Sequence, residues 1–311
     1  MIGEGRVTGS DQASSSGELA ALLPRASVEV SSHGRQLQEL RDHFPPGTDV
    51  TITFLPGDNY RHNIETSVAL RRAGFNPVPH IAAREMPSRE VLDDFLARAR
   101  GEAGVTRILL IAGDVAAAKG PFRSSLDIGA SGLIEAHGIA SVSVAGHPEG
   151  HPFLNAADAF KALATWRGWG RARNIRVDVV TQFCFESAPI LGWIGELDAR
   201  EIDLPVIVGV AGPATPATLT KFALRCGIGN SIRALRGQIG RFGRLLTDTG
   251  PDDVMRGLRS APASTTASIA GFHLFPFGGL RKSSRWLRDY GQDPLAPVER
   301  AISPGAGHPN P

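Results

Sequence analysis

Cysteine is nearly absent from this chain. Only Cys184 and Cys226 occur in 311 residues, which excludes a disulfide framework and a cysteine-built zinc site and fits a reducing compartment. Long apolar runs are missing as well, since none approaches the ~20 residues of a membrane span. The first twenty-odd residues are polar and rich in Gly and Ser, unlike a secretory signal. A dominant charge of one sign is also lacking. With 33 Lys and Arg against 31 Asp and Glu, the formal net charge is +2, so attraction to nucleic acid or to an anionic membrane is not indicated. These absences leave a cytoplasmic, globular protein that handles small molecules as the expectation, with its oligomeric state open.

What is present is enough for a full core, at 42% hydrophobic and 21% charged residues. Residues 1–25 and 293–311 read as tails around a single domain at 26–292. Within it, short β-branched runs alternate with longer segments of helical pattern. The runs are "SVEVS" (27–31), "DVTITFL" (49–55), "PVPHIAA" (77–83), "RILLIAGD" (107–114), "ASVSVAGH" (140–147), "VDVVTQFCF" (177–185), "LPVIVGVAG" (204–212) and "ASIAGFHLF" (267–275). Nearly continuous apolar character suits parallel strands covered on both faces. The segments between them carry helix signals. "SREVLDDFLARARGEAG" opens on Ser88 as an N-cap with Glu90 in the first turn, and "HNIETSVALRRAG" closes on a Gly. Eight such units at this spacing predict a (β/α)8 barrel of the α/β class, with an extended crossover at 213–266 before the eighth strand. An open, doubly wound sheet is the alternative, because strand runs alone do not show closure.

In a barrel, chemistry belongs at the C-terminal strand ends and in the loops after them. The polar residues there are Glu29, Thr53, His80, Asp114, His147 to His151, Gln182 and His273. Each also has a structural reading, as a hydrogen-bonded core residue or a helix cap. "SVAGHPEGHPF" (143–153) places His147, Glu149 and His151 close together in the manner of metal ligands. Two prolines stiffen that loop and no further zinc-type ligand lies nearby, so no metal is expected.

The same segments resemble the methylenetetrahydrofolate reductase family. "LLIAGDVAAAKGPFRSSLDI" is similar to that family's "RGD" segment, "VSVAGHPEGHP" to its "YPEVHP" loop and "VVTQFCFES" to its "TQFFFD". "SVEVS", "PHIAA" and "FHLFPFGG" stand where the family has "EFFPP", "PHLTC" and "FHFYTLNR", so the likeness spans the whole barrel. The resemblance implies a (β/α)8 fold and interconversion of 5,10-methylenetetrahydrofolate and 5-methyltetrahydrofolate with NAD(P)H. It also implies roles. Glu29 is the acid that protonates N10 and opens the imidazolidine ring; Gln182 pairs with the pterin edge, offering a donor and an acceptor from one side chain. Asp114 contacts the pterin and tunes the redox centre, with Phe183 and Arg281 as further substrate contacts. Thr53, His80, Gly113, His147 and His151 fall at cofactor positions.

The departures concern FAD, which many members carry. Ala112 stands for the Arg of "RGD", Ser124 and Ser125 for a Tyr-Ala pair, and His147 for the Tyr of "YPEVHP". A cation and aromatic contacts are thereby lost and the flavin pocket is eroded, a pattern similar to flavin-independent members. Gly279 takes the place of the last-strand Arg, with Arg281 and Lys282 following. Three readings stay open: direct hydride transfer between nicotinamide and folate, the same reaction through bound FAD, and a folate-binding barrel without turnover. The direction of the reaction and NADH against NADPH are open too.

Overall fold

A computed structural model describes residues 17–32, 36–151, 154–225 and 249–292. Its strands are β1 (Ser27–Val30), β2 (Asp49–Ile52), β3 (Asn76–Ala82), β4 (Arg107–Ile111), β5 (Ser141–Gly146), β6 (Arg176–Thr181), β7 (Val206–Ala211) and β8 (Ile269–Phe275). Neighbours pair in parallel in chain order, and β8 pairs back onto β1 to close the barrel. All eight expected strands are present. Closure decides against the open sheet.

The helices that follow these strands are α1 (Leu37–His43), α2 (Tyr60–Arg72), α3 (Arg89–Ala103), α4 (Ser125–Ala130), α5 (Leu133–Ala136), α6 (Ala156–Arg173), α7 (Ser187–Ala199), α8 (Pro216–Arg225), α9 (Asp252–Arg259), α10 (Ala263–Thr266) and α11 (Leu280–Gln292). Ser88 caps α3 as expected, its hydroxyl accepting from Val91 N at 3.3 Å. In the crossover before β8, α9 takes up "DDVMRGLRS", whereas "SIRALRGQIGRFGRLL" lies outside the described residues, as do 293–311. The expectation of a tail through residue 25 needs correcting. Residues 17–22 are helical and Leu19 and Leu23 are buried, 3% and 1% exposed. Those two leucines join the barrel's main apolar cluster, and the stretch Glu18–Leu22 is built of Glu, Leu and Ala, all good helix formers.

Strand residues alternate between two faces. Val28, Val30, Val50, Ile52, Ile108 and Leu110 face outward into the core shared with the helices. Val78, Leu109 and Val180 meet inside the barrel, with Ile111 and Ile207 against them. Below this apolar layer, at the N-terminal strand ends, Arg107 spans the bore. Its Nη2 donates to Asp178 at 2.9 Å, its Nη1 to Asp49 at 3.1 Å and its Nε to Ser143 at 3.0 Å. The bottom is therefore closed by a satisfied polar network. Above the apolar layer the same period brings Glu29, His80, Gln182 and His273 to the inner face of the opposite mouth.

Candidate active site

Glu29 sits at the centre of this mouth. Its position on β1, between the outward Val28 and Val30, turns its carboxylate inward, where the side chain stays 19% exposed. Two imidazoles flank it. His80 Nε2 from β3 lies 3.8 Å from Glu29 Oε2, and His273 Nε2 from β8 lies 3.9 Å from the same oxygen. Both ring nitrogens are buried and without a hydrogen-bond partner among the described residues. Burial pushes the His80 imidazole down to about 4, against the opposing pull of Glu29, with His273 adding to the fall. His80 is therefore neutral near pH 7.

His273 is held from its other side. Ser27 Oγ donates to Phe272 O at 3.5 Å and lies 2.9 Å from His273 Nδ1. The 2.9 Å contact is the shorter of the two and fixes the ring through Nδ1, with donor and acceptor set by the tautomer. His273 Nε2 faces Glu29 Oε2.

Gln182 immediately follows β6, its backbone N–H donating to Gly146 O at 2.9 Å. Its side-chain Oε1 is buried and has no hydrogen-bond partner among the described residues. An amide held in this way loses its water without a replacement, a cost that a ligand offering a donor would remove. Thr53, just past β2, holds its place by donating N–H to Val30 O and accepting from Asn63 Nδ2 through its carbonyl.

On the β4 and β5 side, Gly113 adopts φ +91° at the turn out of β4, and Asp114 follows it, exposed. No described hydrogen bond or ion pair joins Asp114 to the Glu29 cluster. Its charge acts instead on His151, whose imidazole burial lowers, Asp114 raises and Arg84 lowers. His147 and His151 meet edge to face with centroids 4.8 Å apart. Burial pushes His147 down to about 4, with His151 contributing. Glu149 turns to Cys184, whose thiol is pushed up by burial first and then by that carboxylate. Among the described residues no three His, Cys, Asp or Glu side chains converge to hold a metal ion.

Phe183 is 1% exposed and forms the inside of an aromatic cluster, with Phe185, Phe275 and Phe277 at centroid distances of 5.6, 5.6 and 4.8 Å. It backs the mouth rather than lining it. The rings with open surface are Phe275, Phe277 and Phe222, the last stacked on Phe277 at 4.1 Å. Phe222 comes from α8 and was not among the sequence candidates, since one Phe in an amphipathic helix reads as core. Arg281 is exposed in the first turn of α11, its backbone N–H donating to Glu39 Oε1 at 3.1 Å. Two further positions carry weight for a flavin. Ser124 forms a capping box with Asp127, and Ser125 Oγ accepts from the Trp166 indole at 3.2 Å. Neither offers a ring.

The sequence model of the methylenetetrahydrofolate reductase family matches residues 10–230. That is most of the chain, and the protein belongs to this family of folate oxidoreductases of one-carbon metabolism. Among solved structures, a dihydropteroate synthase from Thermus thermophilus is similar at 14% identity, covering 87% of this chain and 95% of that one with a TM-score of 0.46. A likeness at that level carries no argument about chemistry. Among the described residues no helix is long and apolar enough to cross a membrane.

Proposed function

We propose that the chain interconverts 5,10-methylenetetrahydrofolate and 5-methyltetrahydrofolate with NAD(P)H as the hydride source or NAD(P)+ as its acceptor, the hydride passing directly between the two. The observation that carries this reading is the inner-face group itself: one carboxyl, two buried imidazoles and one unpartnered buried amide oxygen in the mouth of the barrel. In the reductive direction Glu29 gives its proton to N10 and the methylene–N10 bond breaks, leaving an iminium at N5. Hydride from C4 of the nicotinamide then adds to the methylene carbon and yields the N5-methyl group. His273, held by Ser27, and His80 flank the same oxygen of Glu29, and neutral His80 adds no competing positive charge. Gln182 Oε1 accepts from the pterin edge. Asp114, further out, acts on that side of the mouth through His151.

The residues fit a bound flavin poorly. Ala112 offers a methyl group, and Ser124 and Ser125 are committed to a helix cap and to Trp166. Direct transfer needs no third group, provided both ligands sit together with reacting atoms ~3 to 3.5 Å apart. Glu29→Gln tests the reading. The variant keeps shape and burial but delivers no proton, so kcat for methylenetetrahydrofolate should fall by about 10² or more with little change in folate affinity. A kcat within threefold of the parent removes Glu29 from the mechanism, and a parent protein that does not turn over the folate removes the reading.

A further inference from the structure

The arginine that leaves β3 has no assigned task. Arg84 lies in the 3-10 turn Ala83–Glu85, two residues past the end of β3. Its backbone is sewn to both limbs of the loop after β4: its N–H donates to Ala112 O at 2.9 Å, and its carbonyl accepts from Lys119 N at 2.8 Å. Its side chain spans the same loop. Nε donates to Arg123 O at 3.0 Å and Nη1 to Val115 O at 3.4 Å. The loop is pressed onto this turn. A Cβ at Gly120 would lie 2.4 Å from both Met86 O and Pro87 O, and one at Gly113 would lie 3.3 Å from Ala82 Cβ.

Two carbonyls orient a guanidinium but do not neutralise it. Among the described residues no carboxylate lies within ion-pair reach of Arg84, whereas Lys119 of the same loop is paired with Glu85. Among the described residues two of its five N–H donors are in use, so a planar cation is held in one orientation with donors to spare, and its charge is felt at His151. Such a fork suits a phosphate, which it can bind through two parallel hydrogen bonds.

The ring of strands says which ligand arrives there. Gln182 and Phe183 follow β6, Glu29 is on β1 and Arg281 follows β8, so of the expected folate residues only Asp114, past β4, stands outside one arc of the mouth. In an eight-strand ring β4 stands opposite β8, and the Arg84 loop belongs to that far arc. Resting on the proposed reaction, we infer that Arg84 is a binding residue for the diphosphate of the dinucleotide, which lies across β3, β4 and β5 while the folate lies across β6, β8 and β1.

Fluorescence titration of the full chain with NADH tests this, with reduced nicotinamide riboside as a probe that has the same ring and no phosphate. Arg84→Gln should weaken NADH binding about 10- to 100-fold, leave the riboside and 5-methyltetrahydrofolate unchanged, and flatten the salt dependence of NADH affinity. Arg84→Lys, which keeps the charge and loses the fork, should fall between. A purely structural role for Arg84 would weaken riboside and NADH alike and overturns the inference. So does an NADH dissociation constant within twofold of the parent, or a loss confined to the folate. If the parent binds FAD and not NADH, and Arg84→Gln weakens FAD, the diphosphate assignment stands and the direct-transfer reading falls. A parent that binds neither dinucleotide removes both.

Discussion

A buried amide oxygen without a partner is expensive to keep, and among the described residues Gln182 Oε1 has none. Its cost is recovered only if a ligand donor reaches it, so Gln182→Ala should weaken folate affinity by about one to two decades, the equivalent of ~1 to 3 kcal/mol for an unpaired polar edge. Calorimetric dissociation constants equal to the parent's would take Gln182 out of the pterin pocket. His80 makes a second claim at this scale. Its imidazole sits at about 4 in the folded protein, against the ordinary 6.5. Between those values the unfolded chain holds the extra proton, so stability rises with pH through that window and is lost as pH falls from 6.5 toward 4. The depression corresponds to on the order of 3 kcal/mol. His147 behaves in the same way. Denaturant melts at pH 7 and pH 4.5 should therefore show a smaller acid loss for His80→Gln than for the parent, without abolishing it; identical losses would mean that His80 is not held neutral by burial.

At the scale of the element, each strand has a lower end that belongs to stability and an upper end that belongs to ligands. Arg107, at the foot of β4, is tied to Asp178, whose side chain is only 8% exposed. Arg107→Met leaves that carboxylate buried and unpaired, a change expected to cost about 3 to 5 kcal/mol in denaturant unfolding, whereas Arg107→Met with Asp178→Asn should recover part of the loss. No recovery in the double variant would contradict the pairing. The strands themselves were readable because parallel strands buried on both faces are apolar throughout. Their ends were not, for the same reason. "VDVVTQFCF" runs apolar to Phe185, yet β6 stops at Thr181, and Phe183, Cys184 and Phe185 are buried beyond it with only an isolated bridge from Cys184 to Val210. Burial outside a continuous ladder looks the same in a sequence as burial within one. The polar residues at the strand ends could be named one by one from their positions. Their grouping could not: Ser27 and His273 are 246 residues apart and meet only because the barrel closes. Arg84 carried no signal, since nothing local shows that its charge goes unpaired.

On the scale of the whole molecule, closure places β1 beside β8 in one ring, and the inferred ligand sites take two arcs of its mouth. One holds Glu29, Gln182 and the phenylalanine cluster around Phe277; the other holds Gly113, His147, His151 and Arg84. The account stands on hydride crossing from one arc to the other without an intermediate carrier. A single turnover with excess enzyme, 5,10-methylenetetrahydrofolate and NADH deuterated at both C4 positions measures this directly by mass spectrometry of the folate product. Direct transfer predicts one deuterium in every new methyl group and no visible flavin band in the protein. An unlabelled methyl group would contradict it, because a hydride lodged on a flavin nitrogen exchanges with water before delivery, and the absence of any methyl product would contradict the reaction itself.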